Sequence, residues 1–465
     1  MTGWGRLLFV CAIVFASNNS YAVPSAQVRD CRIAGVDETL RCGEITVPEN
    51  YQRPSGRQIN LYFVVLPALQ RDAATVPLFD LAGGPGIAGS DAAIFFATDG
   101  RIYRQHGDVV LLDQRGTGHS SPLHCPQIEG AAAFSEMYPQ AAVRECKVTL
   151  EQHADLTQYT TANAARDLDR VRSALGYSRI NLSGLSYGTR LALSYLRLYP
   201  QHVRAATLMG TVSDDARLPL WHARNAQNVL DQLIERCARA SECSEAFPNL
   251  HQQWSAFLAR SEQTPGTLPR GPMMESLRTL LVSADGQRRV PYLLDHLARS
   301  DFQPLRAAVH QNDGALAEGL YLSVTCAEDT AWITQRQRLE AAAGTFLGTY
   351  RLEQQIRACQ VWKMPRVKVP GTGIHSEVPV LLIAGGADAV TPVSWARQMA
   401  KSLSRSTVVV VPSLAHFPDG LTHMECLDHM ASQFLLRLTL QEAEMDCVSQ
   451  MHALPFVTTL EEPPR

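Results

Sequence analysis

A mostly parallel β-sheet covered by helices on both faces, and interrupted by a long helical insertion, is the fold class that the sequence predicts. Three observations carry it. Short apolar runs alternate with helical segments through residues 23–213, the alternation gives way to helical patterning over 214–370, and strand-helix alternation resumes in 371–465. Alternation of this kind makes successive strands parallel, because the crossover helix returns the chain to the same end of the sheet, and a parallel sheet is buried on both sides.

At the N-terminus, Arg6 precedes the apolar run 7–16, and Ser20-Tyr21-Ala22 puts small residues at −3 and −1 of a cleavage point. Residues 1–22 therefore read as a signal peptide, with the run too short for the roughly 20 apolar residues of a spanning helix. The mature chain, beginning near Val23, is expected to be exported, to a periplasm or the medium, without a membrane span. Ten cysteines remain once Cys11 is removed with the signal. An even number in an exported chain predicts disulfides, and near-neighbour pairing gives Cys31–Cys42, Cys125–Cys146, Cys237–Cys243, Cys326–Cys359 and Cys426–Cys447. None of the spacings repeats the pattern of a zinc site, so no metal is expected. A formal charge of −3 with 46% apolar residues describes an ordinary globular chain, with no basic excess for nucleic acid.

The elements follow in order. Residues 44–47 and 59–66 read as strands, as do the apolar runs at 76–82 and 109–116; a loop-rich piece holding Cys125 and Cys146 comes next. Ala164, Leu168, Val171 and Leu175 recur at helical spacing and Gly176 stops the helix. A short strand at 180–182 enters a glycine-rich turn and an apolar helix that ends at Pro200, and 205–212 is another buried strand. After the helical region come a strand at 378–386, a helix from about Val393 and a strand within 406–416.

Gly184-Leu185-Ser186-Tyr187-Gly188 is a G-x-S-x-G segment between a strand and a helix, the context that gives the motif chemical meaning. The turn forces the serine outward, and a side chain at either glycine would collide with the neighbouring strand or helix. The Ser186 hydroxyl then sits at the positive end of the following helix, with the Tyr187 N–H placed for an oxyanion. A serine hydroxyl needs a base to take its proton and a carboxylate to orient that base, in the order Ser, Asp, His. Asp388, in "GGADAVTP", and His416, in "SLAHFPDG", each follow an apolar strand, so both fall on the edge of the sheet that carries Ser186. His423 and His429 lie in a segment that reads as helix, and Asp419 reads as a helix cap or surface charge.

The stretch "LAGGPGIAGS" (81–90) has two readings. Counted from Gly84 it is the G-x-G-x-x-G of a dinucleotide site, with Asp113 for the ribose. Counted from Gly83 it is the loop that supplies a second oxyanion donor in serine hydrolases. The serine constellation favours the second, leaves Asp113 a structural role and calls for no cofactor.

Taken together, "GGPG", "DQRGTGHS", "TTANAARDLDRVRSALGYSRINLSGLSYGT" and "GGADAVTP" resemble the prolyl iminopeptidase and tripeptidyl aminopeptidase group of α/β-hydrolases, over residues 44–212 and 378–447. The exported, cysteine-containing branch with a C-terminal tripeptidyl-aminopeptidase-like segment is the most similar. The resemblance implies an α/β-hydrolase fold in which Ser186 is the nucleophile, Asp388 the orienter, His416 the base and the Gly83 and Tyr187 N–H groups the oxyanion hole. It also implies that 214–370 is a helical cap limiting access. Ala82 stands where many members have His, which weakens strict proline specificity, and Ala415 replaces a glycine conservatively. The group anchors a substrate's α-ammonium on cap carboxylates; in "TCAEDTAW" (325–332) Glu328 and Asp329 are the candidates, with a helix cap or solvated face as their other reading. The expected function is an exported serine exopeptidase acting on peptides with a free N-terminus. An esterase or amidase would use the same triad, and a non-catalytic binding protein would have no use for a complete one.

Overall fold

The computed structural model describes residues 26–70, 76–105, 107–130, 132–213, 215–263, 269–309, 316–369 and 373–459. The signal-peptide reading of 1–22 lies outside them. Nine strands, β1 (Gln27–Cys31), β2 (Leu40–Pro48), β3 (Gln58–Leu66), β4 (Leu78–Leu81), β5 (Val109–Leu112), β6 (Ile180–Leu185), β7 (Val203–Met209), β8 (Val380–Gly385) and β9 (Ser406–Val411), form one sheet in the order β1-β2-β3-β5-β4-β6-β7-β8-β9. The first three pair antiparallel, β3 runs antiparallel to β5, and from β5 to β9 all neighbours are parallel.

Both faces are covered, as the continuous apolar runs require. On one face Val110, Leu182 and Leu382 pack with residues of α3 (Thr161–Ala174) and α4 (Tyr187–Leu198), which follow α1 (Ala93–Ala97) and α2 (Gln140–Glu151) in the chain. On the other, Val109, Leu111 and Ile383 pack against Ala93 and Phe96 of α1 and against Met430 and Phe434 of the helix Glu425–Arg437. Alternate residues of one strand thus feed two cores, the period of two expected of a doubly buried strand.

Between β7 and β8 the described residues contain helices and no strand: α5 (Leu218–Arg239), α6 (Ser241–Ala246), α7 (Leu250–Gln263), α8 (Arg270–Leu280), α9 (Ala284–Ala298), α10 (Gln303–Ala308), α11 (Glu318–Glu328), α12 (Gln335–Ala342) and α13 (Tyr350–Trp362). They have a core of their own, in which Leu230 and Leu233 of α5 meet Met273 and Leu277 of α8 and Leu293 of α9. Then come α14 (Val393–Ala400), α15 (Glu425–Arg437) and α16 (Glu442–Met445). Among the described residues no helix is long and apolar enough to cross a membrane.

The five near-neighbour cysteine pairs are joined, with Cα–Cα separations of 5.1 to 5.8 Å. Strand β1 and helix α2 are among the elements that escaped the sequence reading. The edge strand β1 has the sequence QVRDC, mostly exposed and without alternation, and it is held by its antiparallel pairing with β2 and the Cys31–Cys42 bridge. Helix α2 buries only Val143, Cys146 and Leu150, a sparse helical stripe inside what reads as loop.

Candidate active site

Ser186 lies between the last residue of β6 and the first of α4, with φ 57° and ψ −122°. A non-glycine residue there is strained, and the strain is sustained by its surroundings. The Ser186 N–H donates to the Met209 carbonyl at 3.1 Å, and its carbonyl accepts from the Thr189 N–H at 2.9 Å and the Thr189 hydroxyl at 2.6 Å. The glycine at 188 is dictated by packing: a Cβ there would lie 1.9 Å from the Leu81 carbonyl oxygen, in the neighbouring strand β4. One at Gly184 would lie 2.8 Å from the Gly188 backbone. Tyr187 opens α4, so its N–H has no acceptor within the helix. Gly83 reaches the same corner, a Cβ on it falling 3.4 Å from the Ser186 Cβ.

Asp388 follows β8. Its Oδ1 accepts the N–H groups of Val390 at 2.7 Å and Thr391 at 2.8 Å, and its Oδ2 accepts the Thr391 hydroxyl at 2.6 Å and faces His416 Nδ1 at 2.9 Å. Burial alone would raise this carboxyl; the charge of His416 and the hydrogen bonds from His416 and Thr391 outweigh it and hold Asp388 below the usual carboxylate range. Both members of the pair are buried. Gly210, next to the residue that accepts the Ser186 N–H, packs against His416, a Cβ there lying 3.3 Å from the imidazole Cε1. The ends of β6, β7, β8 and β9 therefore bring Ser186, Asp388 and His416 to one edge of the sheet.

His423 pairs with Glu425 at 3.2 Å in an exposed setting, and His429 is exposed on α15. Asp419 accepts the N–H of Ala284, the first residue of α9, at 2.8 Å. Asp113 is buried and accepts the N–H groups of Ser90 and His119 at 2.8 and 2.9 Å, a brace between the glycine-rich stretch and its own loop. In the glycine stretch, the Gly86 carbonyl accepts the Ala317 N–H at 3.0 Å, and a Cβ on Gly86 would come within 2.9 Å of Leu316. Its lack of a side chain lets the helical insertion lie on this loop.

The structure closes in Glu328 and Asp329 where the resemblance has them receiving an ammonium. Asp329 takes a two-point hydrogen bond from Arg190 of α4, at 2.9 and 3.0 Å, and accepts the Leu218 N–H at 3.3 Å. Glu328 accepts the Thr161 N–H at 2.8 Å and the Thr161 hydroxyl at 2.6 Å, with Arg190 at 3.9 Å. The Thr161 hydroxyl is also 2.9 Å from the Tyr187 hydroxyl, so Glu328 is tied to the residue that follows Ser186. Burial pushes the Glu328 carboxyl up to about 7 against the pull of Arg190 and Thr161.

Sequence reasoning missed several polar groups of the insertion. Glu275 is buried between Arg278 and Arg351, yet its Oε2 has no partner. Glu318 accepts the Tyr138 hydroxyl at 3.1 Å, and burial pushes its carboxyl to about 7. His222 is buried with Nδ1 unpartnered, and burial together with the charges of Arg351, Arg278 and His416 holds it well below the ordinary histidine range. No local motif marks any of the three.

A family model described as alpha/beta hydrolase fold matches residues 77–418. Over 244 residues the chain is 31% identical to the tripeptidyl aminopeptidase of Streptomyces lividans, covering 48% of this chain and 42% of that protein. Against the serine protease Hip1 of Mycobacterium tuberculosis it is 30% identical over 222 residues, 43% of this chain and 42% of the relative. The chain thus spans less than half the length of these two relatives. With carboxylesterase B of Mycobacterium tuberculosis it is 28% identical over 491 residues, 91% of this chain and 90% of that one. Among solved structures, a proline iminopeptidase from Mycobacterium smegmatis aligns with a TM-score of 0.45 at 17% identity, covering 85% of this chain and 98% of the other.

Proposed function

Since the chain belongs to the α/β hydrolase fold family, we propose that it is an exported serine exopeptidase that releases one or a few residues from free peptide N-termini through an acyl-enzyme. The observation that carries the reading is the buried Asp388–His416 pair, 2.9 Å apart, at the sheet edge where Ser186 sits in a strained turn. His416 Nε2 takes the Ser186 proton as the hydroxyl attacks the scissile carbonyl, while Asp388 holds Nδ1–H and balances the imidazolium. The Gly83 and Tyr187 N–H groups receive the developing oxyanion. His416 then returns the proton to the leaving amine, and water, activated by the same imidazole, releases the acyl group.

Residues 214–370 serve in this reading as a cap over the catalytic edge, and the contact of Ala317 with Gly86 supports it. Glu328 is the proposed ammonium anchor, exchanging a Thr161 bond for the substrate's charge, and Asp329 acts by holding Arg190. The similarity to an aminopeptidase and a serine protease supports the peptidase chemistry. A second reading, an esterase on small molecules, is favoured by the carboxylesterase relative, whose match covers most of both chains.

Turnover of a peptide with a free N-terminus, of its N-acetylated form and of a small uncharged ester separates the two. Acetylation removes the charge that Glu328 would receive; losing one partner of a buried charge pair typically costs about 3–5 kcal/mol, so peptide cleavage should fall at least roughly a hundredfold. Equal cleavage of both peptides would defeat the exopeptidase reading. Ser186→Ala should lower kcat by roughly 10⁴ to 10⁶ on every substrate.

A further inference from the structure

On the opposite side of the sheet from α3 and α4, a cavity of about 630 Å³ lies between β4, β6 and β7, helices α1 and α15, and the segment Asp99–Gln105. Its walls are mostly apolar, with Phe96, Met209 and Leu427 among them. Every ionisable group on those walls is an acid or a phenol: Asp80 on β4, Asp99 and Tyr103 on the segment between α1 and β5, Glu425 and Asp428 on α15. No lysine, arginine or histidine lines it among the described residues. Asp99 and Glu425 are exposed at its outer end, whereas Asp80 lies on the strand floor beside Ser183 and Thr207.

A carboxylate in such a place wants a cation. Asp80 lies opposite Ser183 of the adjacent strand β6, and burial pushes its carboxyl to about 6. Asp428 accepts the Tyr103 hydroxyl at 3.0 Å and is likewise pushed by burial to about 6, with Asp99 adding like charge. Both carboxylates act on Tyr103, whose hydroxyl is raised well above its usual range by burial and by their charges. Asp428 on the Tyr103 phenol and Asp80 on the strand floor line one mostly apolar chamber, which has no basic side chain among the described residues and is complementary to one positive charge carried on an apolar body.

We propose that this cavity binds a hydrophobic organic cation, a primary or secondary amine with an alkyl or aryl body, whose ammonium lies between Asp80 and Asp428. Gly184 and Leu185, just before Ser186, line the chamber, and so does Pro418, two residues after His416. The amine is thus seated behind the turn that presents Ser186, separate from any substrate anchor in the insertion.

The test is calorimetric titration of the full chain with 2-phenylethylamine and with 2-phenylethanol, its uncharged counterpart of the same shape. At pH 8 the amine should bind at least tenfold more tightly than the alcohol. The preference should shrink at pH 5, where Asp80 and Asp428 take up protons while the amine stays charged. Asp80→Asn with Asp428→Asn should abolish the preference, and Ala431→Leu, which fills the chamber without touching a charge, should weaken both compounds. Should the double variant not fold, Asp428→Asn and Ala431→Leu carry the same comparison. Absence of binding, equal binding of amine and alcohol, or an amine preference that survives Asp80→Asn/Asp428→Asn overturns the assignment, the last by locating the amine elsewhere, as in the cleft beside Ser186.

Discussion

Replacing Asp388 by Asn removes one charge and almost no volume, and the hydrogen bonds around it dictate the outcome. Four donors converge on the carboxylate: the Val390 and Thr391 N–H groups on Oδ1, the Thr391 hydroxyl and His416 Nδ1 on Oδ2. Backbone N–H groups cannot turn round, so the asparagine oxygen must stay with Val390 and Thr391, and the new amide takes the place of Oδ2. The Thr391 hydroxyl can rotate and accept from it. His416 can accept too, but only by moving its proton from Nδ1 to Nε2, which is the wrong tautomer for taking the Ser186 proton. The expected loss is about 10⁴-fold in kcat/KM, the scale at which a triad with the wrong tautomer operates. That is about 5 kcal/mol of transition-state stabilisation. Steady-state turnover of an N-terminally free chromogenic peptide measures the loss, thermal melting establishes that the fold is kept, and imidazole ¹⁵N shifts locate the proton. An Asp388→Asn enzyme within tenfold of the parent, its His416 Nε2 still unprotonated, would refute the tautomer argument and the orienting role of Asp388.

Glu318→Gln should stabilise the protein at pH 8. A carboxyl raised from 4.5 to about 7 on folding contributes stability that is complete below pH 4.5 and lost as pH rises through 7, so the gain is roughly 3 kcal/mol at pH 8 and vanishes near pH 4. Chemical denaturation at both pH values measures it. Gly188→Ala should lower the melting temperature and the activity together, because its Cβ would lie 1.9 Å from the Leu81 carbonyl oxygen and rigid backbone must move, at a cost of roughly 1–3 kcal/mol or more. Arg190→Met leaves Asp329 buried without its counter-charge and should destabilise by about 3–5 kcal/mol, with most of the loss restored by adding Asp329→Leu. The loss should be smaller at pH 5 than at pH 8, since Glu328, already raised to about 7, is protonated there.

What the sequence disclosed and what it withheld divide by distance along the chain. The turn that carries Ser186 was legible because its sequence signature is local: an apolar strand, a serine flanked by glycines, an apolar helix. The strand ends that place Asp388 and His416 were legible for the same reason, each following an uninterrupted apolar run that a doubly covered sheet requires. Strand β1 was hidden because its stability comes from pairing with β2 and from a disulfide, neither of which leaves apolar alternation in QVRDC. Local pattern also failed for Glu275 and His222, which sit in half-buried helices, and for Glu318, which opens a helix buried along its whole length.

Glu328, the last residue of α11, and Asp329 just after it are the sharpest case. Their position beside Cys326 was readable, but whether a buried acid faces a ligand or an arginine depends on its partner, and Arg190 is 139 residues away from Asp329. The same partners tie the insertion to the Ser186 turn: Arg190, on the helix that follows Ser186, holds Asp329, and Thr161 joins Glu328 to the Tyr187 hydroxyl. A change at Glu328 therefore disturbs Tyr187, the residue proposed to offer an oxyanion N–H, as well as any ammonium held there. Slow turnover in Glu328→Gln cannot by itself identify an anchor. The discriminating quantity is the ratio of free to acetylated peptide cleavage: a disturbed oxyanion turn slows both substrates alike and leaves the ratio intact, whereas a lost anchor collapses it.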